Sequence, residues 1–191
     1  MVRVIAGSAK GLRLRVPKGM RTRPTADRVK ESLFNILGPA VSGARVLDLF
    51  AGSGALGIEA LSRGAECATF VEQDPRAVEV IRENLRHTGL ACRAHVVRAR
   101  LPRARLPSAC GPYTLIFMDP PYHEGLVPIT FAWLLQAGVA ATRALVVVEH
   151  SALEEIQFDL KNVRLLRRER IGDTSLTILA LERGGSQPPP A

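Results

Sequence analysis

The chain of 191 residues has only three cysteines, Cys67, Cys92 and Cys110, with no Cys-x-x-Cys pair among them. That spacing excludes a zinc ribbon and a disulfide scaffold, and it leads to the expectation of a reducing compartment. Long apolar runs are missing as well. The longest, such as Ala144 to Val148, reach five or six residues, far short of the roughly 20 that span a bilayer. The apolar part of Met1 to Gly7 is too short for a signal peptide. A soluble cytoplasmic protein is expected. Hydrophobic residues make up 47% and charged residues 23%, enough apolar surface to exclude global disorder.

Acidic residues are scarce at the start. Residues 1–45 hold ten basic side chains, including Arg3, Lys10, Arg13, Arg15, Lys18, Arg21, Arg23, Arg28 and Lys30, against Asp27 and Glu31 alone. The remainder is neutral, so the whole excess of +8 lies in the first quarter of the chain. Segregated charge of this kind is the footprint of a polyanion site; a solvated basic face is the plainer alternative. No acid stands between Glu83 and Asp119 either, where Arg93, Arg98, Arg100, Arg103 and Arg105 cluster.

Val2 to Ile5 and Leu12 to Val16 read as a hairpin around a glycine-rich turn, with Leu12, Leu14 and Val16 alternating against Arg13 and Arg15. A helix is expected from about Thr25, ending at Gly38-Pro39. From Arg45 strands and helices alternate. Strands are expected at 46–50, 67–72, 91–97, 114–118 and 144–149, with helices at 55–62, from Pro75 to about Gly89, and around 128–136. A closing hairpin covers 163–170 and 174–181. This pattern predicts an α/β fold, a mostly parallel seven-stranded sheet with helices on both faces and one antiparallel edge strand. Residues 1–22 are expected to form a basic hairpin and connection, 23–183 the main domain, and 184–191 a disordered tail.

Between the first of these strands and its helix runs Asp48-Leu49-Phe50-Ala51-Gly52-Ser53-Gly54-Ala55-Leu56-Gly57, and Glu72 closes the second strand. Glycines for tight turning and an acid for ribose hydroxyls form a nucleotide-type fingerprint. Asp48 would oppose a pyrophosphate but suit the ammonium of S-adenosylmethionine, unless its carboxylate serves only to bond the loop. Asp74 reads as a helix cap.

Asp119-Pro120-Pro121-Tyr122 follows the fourth main strand, at the carboxyl edge where open α/β sheets bind ligands. The exocyclic amine of a nucleobase is a poor nucleophile because its lone pair is delocalised into the ring. A carboxylate from Asp119 and the Pro120 carbonyl, accepting its two N–H bonds, would direct that lone pair at a methyl donor. Consecutive prolines fix the backbone and expose carbonyls only. Tyr122 would stack on the base, which is worth roughly 1–3 kcal/mol. Positioning and electrostatics suffice for such a transfer, with no metal required.

The segments 48–65, Val71-Glu72-Gln73-Asp74 and 119–122, together with 4–17 and 23–37 near the start, resemble the RsmD-type methyltransferases of 16S ribosomal RNA. The resemblance implies a class I, Rossmann-like methyltransferase fold with an N-terminal β-hairpin extension. It implies methylation of guanine N2 in small-subunit RNA or its assembly particle, with S-adenosylmethionine as cofactor. Asp48, Phe50, Ala51, Gly52, Gly54 and Glu72 would bind cofactor, and Thr25, Arg28 and Phe34 fall in a motif close to it. Asp119 to Tyr122 would hold the target amine, and Lys10, Arg13, Arg15, Lys18, Arg21 and Arg23 would grip RNA; a monomer is expected. One departure stands out: many relatives carry an acid after the third strand for the adenine amino group, whereas this chain reads Val97-Arg98-Ala99-Arg100-Leu101. A DNA adenine-N6 methyltransferase and a catalytically silent RNA-binding assembly factor are the alternatives.

Overall fold

The computed structural model describes residues 2–17, 19, 26–156 and 162–182. Lys18, Arg21, Arg23, Thr25 and the tail 184–191 lie outside these described residues. Two short strands, β1 (Val2–Arg3) and β2 (Arg13–Leu14), pair antiparallel as the expected hairpin, with Val2 opposite Leu14. Helix α1 (Ala26–Leu37) follows and ends at Gly38-Pro39 as expected, with Pro39 in a short 3-10 turn at Gly38–Val41. Then come β3 (Arg45–Leu49), α2 (Ala55–Ser62), β4 (Cys67–Glu72), α3 (Pro75–His87), β5 (Ala94–Arg98) and β6 (Tyr113–Met118). The chain continues through α4 (Leu126–Ala137), β7 (Ala140–Ser151), β8 (Val163–Ile171) and β9 (Thr174–Leu181).

Seven strands form one sheet in the order β5-β4-β3-β6-β7-β9-β8. All pairings are parallel except those of β9 with β7 and β8. The antiparallel strand is therefore one, as expected, but it is not at the edge. All eight residues of β9 are buried while most of β8 is exposed, so the apolar strand takes the doubly paired position and leaves the arginine-rich one outside.

Alternation along the strands divides the core in two. Val46, Phe70, Leu115, Phe117 and Val147 face α1, α2, α3 and the hairpin. Leu47, Leu49, Ile116, Met118, Val146 and Val148 face α4 through Val127, Phe131 and Leu134. Phe34 belongs to the first core, 5.7 Å from the ring of Phe117. No helix among the described residues is long and apolar enough to cross a membrane.

The hairpin is sewn to the body of the fold. Glu59 of α2, fully buried, accepts the N–H groups of Ile5 at 2.8 Å and Ala6 at 3.0 Å. Its charge is compensated by Lys30 at 3.4 Å and Arg63 at 2.8 Å, the condition on which a buried carboxylate is tolerated. Ser62 accepts the Ala9 N–H and donates to the Ala6 carbonyl. Gly7 crosses so close that a Cβ there would lie 1.9 Å from the Ser62 carbonyl oxygen, and its φ is +84°. Only glycine fits.

Two of the cysteines come together in the fold. Cys67 opens β4 and Cys110 precedes β6, and the two form a disulfide with Cα atoms 6.0 Å apart. Because β4 and β6 are both neighbours of β3, the bridge passes over the start of that central strand, bringing together residues 43 apart in sequence. Cys92 is free and exposed. Spacing along the chain carried no sign of this pair.

Candidate active site

Parallel strands end at one edge of the sheet, and loops leaving that edge wall a cavity of about 540 Å³. Phe50, Ala51, Gly52 and Ser53 after β3 form one side, Glu72 to Asp74 after β4 the next, and Ala99 to Leu101 after β5 the third. Asp119, Pro120, Pro121 and Tyr122 after β6 close the far end, with Glu149 of β7 and Thr174 of β9. The glycine loop and the Asp-Pro-Pro-Tyr segment, far apart in the chain, thus share one chamber.

Glu72 is the organising acid. Its Oε2 accepts the Gly52 N–H at 2.8 Å, and its Oε1 accepts the N–H groups of Gln73 at 2.7 Å and Asp74 at 2.8 Å. Asp74 caps α3, accepting the Arg76 N–H at 2.8 Å, in line with its expected role, although it also borders the cavity. Phe50 has a φ of 61°, an uncommon conformation for a residue with a side chain. It sits in the loop that the Glu72 bond holds.

Asp48 stands differently from its expected role. It is 2% exposed and does not border the cavity; its Oδ2 accepts the Gly57 N–H at 2.9 Å. The carboxylate thus acts on the loop, the alternative left open by the sequence. Burial pushes its pKa up from 3.8 to about 7, against the Gly57 N–H, which lowers it, and with Glu72, which raises it. Gly57 is fixed by contact: a Cβ would lie 2.3 Å from the Phe70 ring and 3.1 Å from Asp48. Gly54 packs on Ile58, Ile81 and Phe70 instead of bordering the cavity.

Arg28 is a correction. It is exposed and opens on a separate surface cleft with Glu31, Asn35 and Arg167. Helical spacing explains why: Asp27, Val29 and Lys30 of α1 border the main cavity, and Arg28 lies on a different face of the helix. Phe34 likewise turns into the core. Lys30 was not anticipated; it is buried, donates to the Arg3 carbonyl, and burial lowers its pKa. Glu149 was missed too. A signal existed, since Glu149 ends the apolar run Ala144–Val148 as Asp119 ends Thr114–Met118.

Tyr122 is half-buried and tied down: its hydroxyl donates to Glu149 Oε1 at 3.2 Å and lies 3.2 Å from Thr174 Oγ1. On the opposite rim, Val2 and Val16 of the hairpin segment border the cavity. Lys10, Arg13 and Arg15 are exposed; Arg15, next to Val16 in the chain, pairs with Glu83 at 2.7 Å, whereas Lys10 lies in the turn that packs on Ser62 at the end of α2. In the segment that lacks an acid, Leu101 is buried and Ala99 bonds the Glu72 carbonyl through its N–H at 2.9 Å. Ala99, the exposed Arg100 and the buried Leu101 line that wall.

This strand order, with a glycine loop after the first main strand and an acid closing the second, defines a class I methyltransferase fold. A solved RNA methyltransferase of Salinibacter ruber in complex with S-adenosyl-L-homocysteine shares the fold at a TM-score of 0.65 and 16% identity, covering 90% of this chain and 98% of that one. A solved hypothetical protein of Thermus thermophilus matches at a TM-score of 0.76 and 35% identity over 96% of this chain and all of that one. Ribosomal RNA small subunit methyltransferase D of Escherichia coli K12 is 38% identical over 184 residues, 96% of this chain and 92% of its own. The family model described as "Conserved hypothetical protein 95" matches residues 2–180. The chain belongs to this family, the RsmD family.

Proposed function

We propose that the protein transfers a methyl group from S-adenosylmethionine to the exocyclic N2 of a guanine in small-subunit ribosomal RNA. The observation that carries this reading is the cavity shared by the Glu72-anchored loop and Asp119-Pro120. The naming of the Escherichia coli relative supports ribosomal RNA as substrate.

The residues fit the cofactor. Glu72 can accept ribose hydroxyls while its three backbone bonds hold it still. Phe50, Ala51 and Gly52 offer a close-approach wall, and Leu101 an apolar one for the adenine ring. When bound, S-adenosylmethionine supplies an electrophilic methyl on a cationic sulfur.

Asp119 and the Pro120 carbonyl receive the two N–H bonds of the target amine and aim its lone pair. The carboxylate favours the positive charge that develops on that nitrogen. Tyr122, held by Glu149 and Thr174, presents its ring to the base. The basic residues of the hairpin hold phosphates, the usual division between backbone grip and base reading.

Asp119→Ala should lower turnover roughly 10²–10³-fold, the scale of losing one electrostatic contact in a transition state, with cofactor affinity by calorimetry within a few-fold. Nucleoside mass spectrometry of small-subunit RNA treated with the protein should show N2-methylguanosine. Methylated adenine in DNA, or full turnover without Asp119, would overturn the assignment.

A further inference from the structure

Asp119 directly follows β6, and it and Glu149 each stand one residue beyond the last β6–β7 register pair, Met118 with Val148. The two acids therefore lie level on adjacent parallel strands, whose spacing is about 4.8 Å. Phe117 and Val147, two residues earlier on each strand, share one core, and the alternation of side chains sends Asp119 and Glu149 to that same face. Both border the one cavity.

Other acids there have different duties. Glu72 and Asp74 bond backbone at the opposite end, Asp27 lies 3.6 Å from Arg3, and Glu124 is exposed beyond the tetrapeptide. Among the described residues, Glu149 is the acid that stands on a strand beside Asp119, and the Tyr122 hydroxyl at 3.2 Å fixes its Oε1.

We infer that Glu149 is the residue that selects guanine, by accepting the N1–H of the target base. This inference rests on the guanine-N2 reading above and extends it to base choice. On guanine, N1–H is the donor next to the N2 amine, so the acceptor for one must stand beside the acceptor for the other. Asp119 and Pro120 take the amine; Glu149 is the neighbouring acceptor. Adenine carries a lone pair at N1, which a carboxylate repels. The same pair of acids that welcomes guanine therefore rejects an adenine offering its N6 amine, although Asp-Pro-Pro-Tyr by itself would serve either.

The test uses RNA containing the mapped target site with guanine or 2-aminopurine at that position. 2-Aminopurine keeps the 2-amino group but presents a lone pair at N1. The full-length protein should prefer guanine by roughly 10²-fold or more in kcat/KM, the behaviour of sites built around a buried hydrogen bond. In Glu149→Gln the amide can donate to that lone pair, so the preference should fall at least about tenfold, a loss of roughly 1.4 kcal/mol of discrimination. Cofactor affinity should stay within about twofold of the parent, since Glu149 lies at the target end. The O6 missing from 2-aminopurine handicaps both proteins alike, so the change in ratio reports the N1 edge.

An unchanged ratio in Glu149→Gln overturns the inference. So does a parent protein that methylates both bases equally, a result that needs no variant to fold. Either outcome leaves guanine methylation itself standing. A parent that methylates no guanine instead refutes the proposed function, and this inference with it.

Discussion

Asn84 holds Arg15 at both ends of one amide: its Oδ1 accepts the Arg15 N–H at 2.8 Å, and its Nδ2 donates to the Arg15 carbonyl at 3.0 Å. The same Nδ2 donates to the Ser53 carbonyl at 2.9 Å. One buried side chain of α3 thus couples the basic hairpin segment to the glycine loop. Asn84→Ala should cost about 2–4 kcal/mol, from three lost bonds and unsatisfied backbone groups. Denaturant unfolding measures that loss; a change below about 0.5 kcal/mol would show that the hairpin is held without Asn84.

Glu72 is expected to dominate cofactor affinity. Removing its carboxylate deprives three loop N–H groups of an acceptor and takes away the partner of the ribose. Glu72→Ala should weaken S-adenosylmethionine binding roughly 10–100-fold, equivalent to about 1.4–2.8 kcal/mol. Titration calorimetry reads this directly, and an affinity within twofold of the parent would remove Glu72 from the cofactor site.

Asp48 predicts an unusual pH dependence. Its folded-state pKa of about 7 exceeds the ordinary carboxylate value of 3.8, so the folded protein binds that proton more tightly than the unfolded chain. The associated stability is fully present below about pH 4 and is lost as pH rises through 7. Asp48→Asn removes this titration while leaving an oxygen for the Gly57 N–H. The stability of Asp48→Asn relative to the parent should therefore climb between pH 4 and 7, by at most about 4 kcal/mol. A difference that is flat over this range refutes it.

Arg13 and Arg15 should govern the salt dependence of RNA binding. Arg15 already faces Glu83, so neutralising it is cleaner than reversing it. The double variant Arg13→Gln, Arg15→Gln should reduce the slope of log K against log salt by about 1.4, two phosphates at roughly 0.7 each on single strands. An unaltered slope would place the RNA elsewhere.

Most of the candidate site was legible in the sequence. Asp119, Pro120, Pro121, Tyr122, Gly52 and Glu72 meet at one cavity because each sits where a strand gives way to a loop, and parallel strands gather such ends at one edge. The cap at Asp74 was readable for the same local reason. Arg28 was misplaced because a motif read as a string hides the rotation of its helix, which turns Asp27 and Lys30 to the cavity and Arg28 outward. Glu149 escaped because a lone acid after an apolar run gains meaning only from the strand beside it.

The amino-acid order alone determined the alternating α/β fold, the polar ends of its buried strands and the charge of its hairpin, since propensity, periodicity and net charge are local properties of a chain. Tertiary structure decided what those ends face. It turned Asp48 inward to Gly57, joined Cys67 to Cys110 across β3, seated β9 between β7 and β8, and set Glu149 level with Asp119. Each of these depends on contacts between residues far apart in sequence, fixed only when the sheet assembles and its two cores close.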